Sequence, residues 1–532
     1  MRILHVIHDL PPLHIAGAEL YAVRLATEQN SRPGVEAGFL CAEYDPSTPH
    51  GSLRSRSLDG LPVTELVNNW AFPSLGESVA SPVMNKQLAR ALEQQDGRVD
   101  ILHLHSLQGL SLDLPRLALD LGIPSVATLH DYSLFCPAGG QLLAHGLTGQ
   151  ATAPCQVLDP IRCARCFTRS PLGKLLGLGR VLPHGGGLQQ AARAAAVLRR
   201  VLPAGFGPAG QLLSLMGSGA ATPAQITRRL EQARAAARLI EHFVAPSRAM
   251  ADRMISLGIP SRRVEVSDYG FTPLPRLPRS PGQGILRLGF VGSLVPHKGA
   301  DLLLTAARSL GERVEIQVHG DPTVCPEYSA RLRSMARGLP VRFAGPFAPE
   351  LAPEIYAGMD CLVVTSRWPE NSPLVIHEAF QAGIPVVAPE LGGCAELVRH
   401  GLNGLHYEAS SAASLARQLR GLVQRPELLR DLAATVTEVK SMGRDADQWL
   451  ERYQRTLARR ETSGCEVLPG LDAAPDISIL LMTRDGAATL PRLLTALDAQ
   501  DTSRRVERVA LDSGSTDGTD HLLRGAGFAV HP

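Results

Sequence analysis

Six short apolar runs separated by helix-like stretches, ILRLGFVGS, VEIQVHGD, VRFAGPF, CLVVTS, IPVVAPE and GLHYE, constrain the chain after Ile285 more than any other feature. Strands that read as near-continuous apolar runs are covered on both faces, and their alternation with helices selects an open, doubly wound parallel sheet of α/β class. The same grammar occurs earlier. MRILHVIHDL is followed by a loop with Pro11, Pro12 and Gly17 and a helix-like segment over 18–29, and strands are expected again at DILHLH (100–105) and SVATLH (125–130). FVAPS then precedes a helix over 248–257, with Ser247 as its N-cap and Gly258 as its stop. The Pro- and Gly-rich TPLPRLPRSPGQG, residues 272–284, reads as a linker between two such domains.

At 532 residues the chain exceeds one core, and at about 150 residues per domain it should divide into roughly three to four units. Apolar residues at 44% and charged residues at 20% exclude a disordered or fibrous chain. A formal net charge of +2 offers no polycationic surface, so nucleic acid is not an expected partner. No apolar run approaches the roughly 20 residues that cross a bilayer. The start MRILHVIHDLPP is interrupted too soon for a signal peptide, so the expected location is the cytoplasm.

The first domain is expected over residues 1–275. Residues 168–239 within it are rich in Gly, Ala, Leu and Arg without a strand pattern and read as a helical insertion. There Ala194, Val197, Leu198, Val201 and Leu202 share one helical face while Arg193 and Arg200 lie on another, which suits packing on the domain or contact with a membrane surface. The second domain is expected over 285–440, closed by a helix over 441–460. A second linker, ETSGCEVLPGLDAAP (461–475), leads to ISILLMT and a last segment, 476–532, about one βαβ unit long.

In open α/β sheets ligands sit beyond the carboxyl ends of the strands. That rule selects Gly292, Ser293, Lys298, Gly320, Asp321 and the loop 366–372 in the second domain, and Gly17, His105 and His130 in the first. In SRWPENSPLVIHEAFQAG, Ser372 reads as an N-cap, Pro373 as the first helical residue and Gly383 as the stop. The start of that helix would aim free N–H groups and a positive dipole end at the cleft, a site suited to a diphosphate. Glu370 precedes the helix, and Glu378 lies among Leu374, Val375, Ile376, Ala379 and Phe380. A carboxylate at 378 is either an exposed helix glutamate or one held by a specific partner such as a ribose diol. Lys298, in VGSLVPHKG, is either a solvated loop lysine or the ammonium that neutralises a leaving diphosphate. His130 is either a packed histidine or a contact for a sugar hydroxyl.

Together these segments resemble the retaining glycosyltransferases of family 4 over roughly residues 1–460. The most specific mark is the glutamate pair in ENSPLVIHE followed by AFQAGIPVVA. The resemblance implies the GT-B fold, two Rossmann-like domains facing across a cleft, and transfer of a sugar from a nucleoside-diphosphate sugar with retained configuration. It implies that Glu370 contacts the donor sugar, Glu378 the ribose hydroxyls and Lys298 the donor diphosphate. Gly17 in HIAGAE would face the donor, His130 in TLHDY would lie near the reacting sugar, and Gly292, Ser293, Asn371, Ser372, Pro373 and Leu374 would complete the donor site. No metal is implied there, and the acceptor would be a glycan, a lipid-linked sugar or a small molecule, with peripheral contact at the inner membrane face. Two positions depart from the pattern: Ser293 stands where many members carry an arginine, and AGAE replaces the commoner GGAE. The alternatives are a GT-B-like nucleotide-sugar epimerase and a weakly active nucleotide-sugar-binding scaffold. A dehydrogenase is disfavoured, because no strand is followed by G-x-G-x-x-G.

The tail, with ISILLMTRDGAATLPRLLTALDAQ and VERVALDSGSTDGT, resembles the opening of a family 2 glycosyltransferase of GT-A fold. There Asp512 and Ser513 would fall near the nucleotide and Asp485 near the base, but the segment stops before any Asp-x-Asp and is expected to be inactive. Nine cysteines are too sparse for a disulfide framework. Cys155, Cys163 and Cys166 form a compact group that ends in Cys-x-x-Cys, and Cys136 is distant in sequence; the four are either independent thiols or the ligands of a structural Zn²⁺.

Overall fold

A computed structural model describes residues 1–12, 17–45, 47–70, 72, 74–94, 98–145, 151–181, 221–278, 284–462, 477–500 and 506–531. The chain divides into two units, Met1–Leu457 and Ala458–Pro532.

The first unit holds two large sheets and a two-stranded pair. Strands β1 (Arg2–Ile7), β2 (Glu36–Glu43), β3 (Leu53–Leu58), β4 (Leu61–Val67), β5 (Ile101–Leu104) and β6 (Ser125–Thr128) lie in one sheet. β7 (Leu143–His145) and β8 (Ala151–Pro154) stand apart as an antiparallel pair, and β9 (His242–Ala245) and β10 (Val264–Val266) complete the large sheet. Its order is β10-β9-β6-β5-β1-β2-β4-β3. All neighbours run parallel except β3 and β4. The antiparallel edge strand β3 alternates Arg54 and Arg56 with smaller residues, and both arginines pair with Glu65 of β4, Arg54 at 2.9 Å. This charged edge lacks the apolar run of a central strand and blocks further pairing.

The second sheet contains all six strands expected from the apolar runs: β11 (Leu286–Val291), β12 (Val314–His319), β13 (Val341–Gly345), β14 (Cys361–Val363), β15 (Val386–Pro389) and β16 (Gly404–Tyr407). They are parallel, in the order β13-β12-β11-β14-β15-β16. The order reverses between β11 and β14, so the loops that leave these two strands diverge and open a crevice. The first sheet reverses in the same way between β1 and β5.

The caps expected around 248–257 are present: Ser247 Oγ accepts from Met250 N–H at 3.3 Å, and Gly258 adopts φ +126°. The insertion is helical where it is described, with Pro171–Val181 and Pro223–Leu239, the second opened by a Thr222–Gln225 capping box. The amphipathic face of Ala194 to Leu202 lies outside the described residues. No described helix is long and apolar enough to cross a membrane.

One expectation is corrected. The helix Met442–Thr462 does not close the second sheet. Its apolar face, Met442, Ala446, Trp449 and Tyr453, packs with Ile3, Ile7, Tyr21 and Phe39 in the core of the first. Arg452 anchors it by donating to Glu265 at 2.6 Å, at the end of the sheet formed by β10. An amphipathic pattern marks a face to be buried but not the surface that buries it.

The second unit is a parallel three-stranded sheet, β17 (Ile477–Thr483), β18 (Val506–Asp512) and β19 (Ala529–His531), with helices Leu490–Asp498 and Thr519–Gly525. It therefore has one βα crossover more than a single βαβ unit. Its core is small, built on Leu490, Leu494, Ala510, Leu523 and Phe528, and Leu480 and Met482 remain 75% and 80% exposed.

Candidate functional site

The crevice between β11 and β14 brings together the two residues that sequence spacing could not connect. The turn Pro296–Lys298 follows β11, and Glu370 lies in the loop after β14. Lys298 Nζ stands 2.5 Å from Glu370 Oε1. Gly299, next to the lysine, has φ +71°, and a Cβ there would meet the Thr365 carbonyl at 2.2 Å, so only glycine lets the two loops approach so closely. The same carboxylate oxygen accepts from Ser366 Oγ at 2.6 Å and Trp368 Nε1 at 2.9 Å. Glu370 is buried while Lys298 is partly exposed. Behind the loop, a Cβ on Gly393 would lie 1.9 Å from the Asn371 carbonyl, and Gly393 N–H donates to the Glu370 carbonyl at 2.6 Å. The site's backbone is thus clamped from both sides.

The next helix runs from Leu374 to Gln381, one residue later than expected, with Pro373 in the N-cap position. Ser372 is not the cap, because its hydroxyl donates to Asp268 at 2.7 Å and also meets His377 Nε2 at 2.8 Å. No side chain caps this helix start, and of its first N–H groups that of Ile376 donates to the Pro373 carbonyl at 3.0 Å; the positive dipole end stays uncovered by a side chain. Gly383 ends the helix as expected, at φ +72°. Asn371 reaches across to the first sheet and donates to the His130 carbonyl at 2.5 Å, while its own Oδ1 is buried without a partner. Gly17 also faces this point: a Cβ on it would come 3.1 Å from Leu374. Glu396 completes the junction by accepting from Arg248 and Ala249 N–H, each at 2.7 Å.

Glu378 is half-buried, not exposed, and accepts from the Tyr356 hydroxyl at 2.7 Å. Tyr356, Ser366, Trp368, Asp268 and His377 belong to the constellation and were not singled out from sequence. Ser366 and Trp368 lay inside the loop selected by its place after a strand. Tyr356 and Asp268 had no local signal, because they come from distant segments. Gly292 follows β11 and donates its N–H to the His319 carbonyl at 3.0 Å; Ser293 beside it is exposed and brings no charge. Arg367 does not replace the missing arginine, since its guanidinium is held by both oxygens of Asp301 at 2.8 Å.

On the first-sheet side, His130 is not free to meet a ligand with its ring nitrogens. Nε2 contacts His105 Nδ1 at 2.9 Å and Nδ1 contacts the Tyr269 hydroxyl at 2.9 Å. His105 continues to His5 at 2.9 Å, and His5 to Gln29 at 2.8 Å. His103, stacked beside them, bonds Tyr453 at 2.6 Å and Thr128 at 2.7 Å. Burial lowers the pKa of His130 to about 3 and that of His5 to about 4, so the row is neutral. At the end of β1, His8 and Glu19 form a pair at 3.1 Å. Burial opposes charge on His8, but the Glu19 hydrogen bond and carboxylate outweigh it and raise its pKa. Glu19 follows Gly17 in the AGAE stretch, a signal that the sequence did carry.

The four cysteines meet in another corner of the first domain, around the β7–β8 pair and the helix Pro160–Arg169. They are not closed into a tetrahedral ligand set. Among the described residues, the three-ligand group with all its atoms within 4.8 Å of one another is His5–His103–His105, whose ring nitrogens are already hydrogen-bonded. Cys166 is engaged instead by His145, whose backbone N–H and ring Nδ1 both lie 3.3 Å from its sulfur.

Residues 15–152 match the model described as Glycosyltransferase Family 4, and residues 286–425 match the model described as Glycosyl transferases group 1. Both end before the tail. A D-inositol 3-phosphate glycosyltransferase of Geodermatophilus obscurus is 31% identical over 255 residues, 42% of this chain and 56% of that protein. A GDP-mannose-dependent alpha-mannosyltransferase of Mycobacterium tuberculosis is 34% identical over 176 residues, 32% of this chain and 44% of that protein. The chain thus spans about half the length of these curated relatives. In fold it is similar to Anabaena HepE, solved with UDP and glucose, at TM-score 0.51 and 19% identity over 87% of this chain and all of that one. A glycosyltransferase structure from Rickettsia africae gives TM-score 0.54 at 15% identity, covering 86% of this chain and 98% of that one. The two parallel sheets are those of a GT-B-like α/β fold. Residues 15–152 are a glycosyltransferase family 4 domain, and residues 286–425 a group 1 glycosyltransferase domain.

Proposed function

We propose that the chain transfers a sugar from a nucleoside-diphosphate sugar to a hydroxyl of a glycan, lipid-linked or small-molecule acceptor, with retained configuration. The observation that carries this proposal is the Lys298–Glu370 pair, 2.5 Å apart at the switch point of the second sheet and beside an uncapped helix start. An ammonium has three N–H donors, so two remain for a diphosphate while the third holds Glu370. The bond from the anomeric carbon to the diphosphate oxygen breaks, the acceptor oxygen takes its place on the same face, and the acceptor proton leaves with the diphosphate. Charge grows on the departing diphosphate in that step, where Lys298 and the N–H groups of the Leu374–Gln381 helix stabilise the transition state more than the ground state.

Glu370, fixed by three donors on Oε1, is oriented toward the sugar by its remaining oxygen. The unpartnered Asn371 Oδ1 accepts a sugar hydroxyl, and Glu378, set by Tyr356, takes the ribose hydroxyls. Gly17 and Leu374 form the wall opposite. His130 acts mainly through its carbonyl, which places Asn371, since its ring would first have to release His105 or Tyr269. The site works in the cytoplasm, with peripheral membrane contact where the acceptor is lipid-linked. Residues 477–531 are the opening of a family 2 domain; the parallel sheet and the position of Asp485 and Asp512 after or at the ends of β17 and β18 support this, and deleting 477–532 should leave transfer unchanged.

A panel of nucleotide sugars tested for nucleoside diphosphate release, with product analysis, checks the proposal. One donor should turn over, and Glu370→Gln and Lys298→Ala should each suppress that release. Unchanged turnover in both variants would sink the assignment.

A further inference from the structure

The corner around the β7–β8 pair holds chemistry that the transfer reaction does not use. Cys163 and Cys166 lie one turn apart on the helix Pro160–Arg169, on the same side. Cys136 is brought in by a turn in which its N–H donates to the Tyr132 carbonyl at 2.7 Å. Cys155 follows β8, where its N–H donates to the Leu142 carbonyl at 2.6 Å. All four are free, with Cys136 and Cys163 buried and the other two half-buried against the same core. Cys166 Sγ lies 3.8 Å from the Leu143 carbonyl, next to the Leu142 carbonyl that holds Cys155, so these two thiol residues flank the start of β7.

Beside them is a charge without a counter-charge. The Arg229 guanidinium is buried, at 7% exposure, and donates to the carbonyls of Ser133 at 2.8 Å, Leu134 at 3.2 Å and Phe135 at 2.7 Å. No carboxylate among the described residues pairs with it, and the Phe135 carbonyl it holds is the one immediately before Cys136. A buried guanidinium with only neutral partners is costly. Neutral thiols leave that cost in place, whereas thiolates remove it.

We propose that Cys136, Cys155, Cys163 and Cys166 bind one structural Zn²⁺ as a tetrathiolate, with Arg229 as its buried counter-charge. Four thiols release four protons as one Zn²⁺ enters, so the centre carries a net charge of −2 facing the guanidinium. The His145 backbone N–H, 3.3 Å from Cys166 Sγ, is already placed to donate to a thiolate. Tetrahedral thiolates about 2.3 Å from zinc stand roughly 3.8 Å apart, so binding draws the sulfurs closer by side-chain rotation. The ion would join the helix Pro160–Arg169 to the hairpin. β8 packs against the turn Pro296–Lys298, so the staple braces the edge of the crevice as well.

The test is metal analysis of the reduced full-length chain, purified without chelator and then supplied with zinc, followed by exchange to cobalt. About one zinc per chain and thiolate-to-cobalt charge-transfer absorption are expected. The double variant Cys163→Ser, Cys166→Ser should lose the metal. Arg229→Met should bind zinc about 10- to 100-fold more weakly, as for loss of other groups that support a metal's ligands. A wild-type chain that takes up no zinc, or a cobalt form without thiolate absorption, would overturn the site even if the double variant fails to fold. Full zinc content in a folded double variant would do the same, and unchanged affinity in Arg229→Met would remove Arg229 from it.

Discussion

The two large sheets of the first unit bury different kinds of interior. Within β11–β16 the buried side chains are apolar or aromatic except His319 at the end of β12, and the charged pair Lys298–Glu370 sits in the loops that leave β11 and β14. The sheet around β1 and β5 instead carries His5 and His103, fully buried, within its central strands, with Gln29 and Tyr453 closing the network. The contrast separates two kinds of consequence. Changes at the ends of the second sheet should alter chemistry while leaving stability intact. Changes inside the first should lower stability before they touch chemistry.

The strongest way to break that contrast is Trp449→Ala. Trp449 is fully buried against His103 and donates to the Tyr21 hydroxyl at 3.0 Å, so its removal should cost about 3–5 kcal/mol in denaturant unfolding. A loss near zero would mean that the closing helix does not support the first sheet. On the other side, Lys298→Ala should lower turnover about 100- to 1000-fold with little change in melting temperature. A large fall in melting temperature would erase the distinction.

A pH series sharpens the comparison. His5 and His130 titrate near pH 6.5 when unfolded but only at about 4 and about 3 when folded. The unfolded chain therefore binds more protons in that window, and stability present above pH 6.5 is lost as pH falls toward the folded values. His5 alone should account for about 3 kcal/mol by pH 4. Unfolding measured from pH 7 to 4 should show this slope in the wild type and a shallower one in His5→Asn; equal slopes would contradict the buried neutral row. The smallest effect is expected at Tyr356→Phe. Losing one hydrogen bond to Glu378, about 1 kcal/mol, should raise the donor KM roughly fivefold with kcat nearly unchanged.

The same contrast explains what was legible from sequence. The six strands of the second sheet were readable because each carries a short apolar run, even the partly exposed edge strand β13, and Lys298 and Glu370 were readable because they follow such strands. β3 was not, since LRSRSL earns its place through Arg54 and Arg56 pairing with Glu65 across a chain reversal. The histidines of HVIH and ILHLH stood in plain view, but a period of two shows only that His103 and His105 share a face, not that the face meets His5 and Tyr453. The start of the 374–381 helix shifted by one residue because Asp268, far away in sequence, claimed the Ser372 hydroxyl. Tyr356 and Asp268 show the general limit: local patterns locate loops, whereas partners from other segments appear only when the chain is folded.

Calorimetric titration of UDP, GDP and ADP into the wild type and Lys298→Ala tests most directly whether the Lys298–Glu370 crevice is the donor diphosphate site. At least one nucleotide should bind the wild type, and the variant should bind it at least about tenfold more weakly, a difference of about 1.4 kcal/mol. Equal affinity in the two proteins, or no binding of any nucleoside diphosphate to the wild type, would contradict that placement.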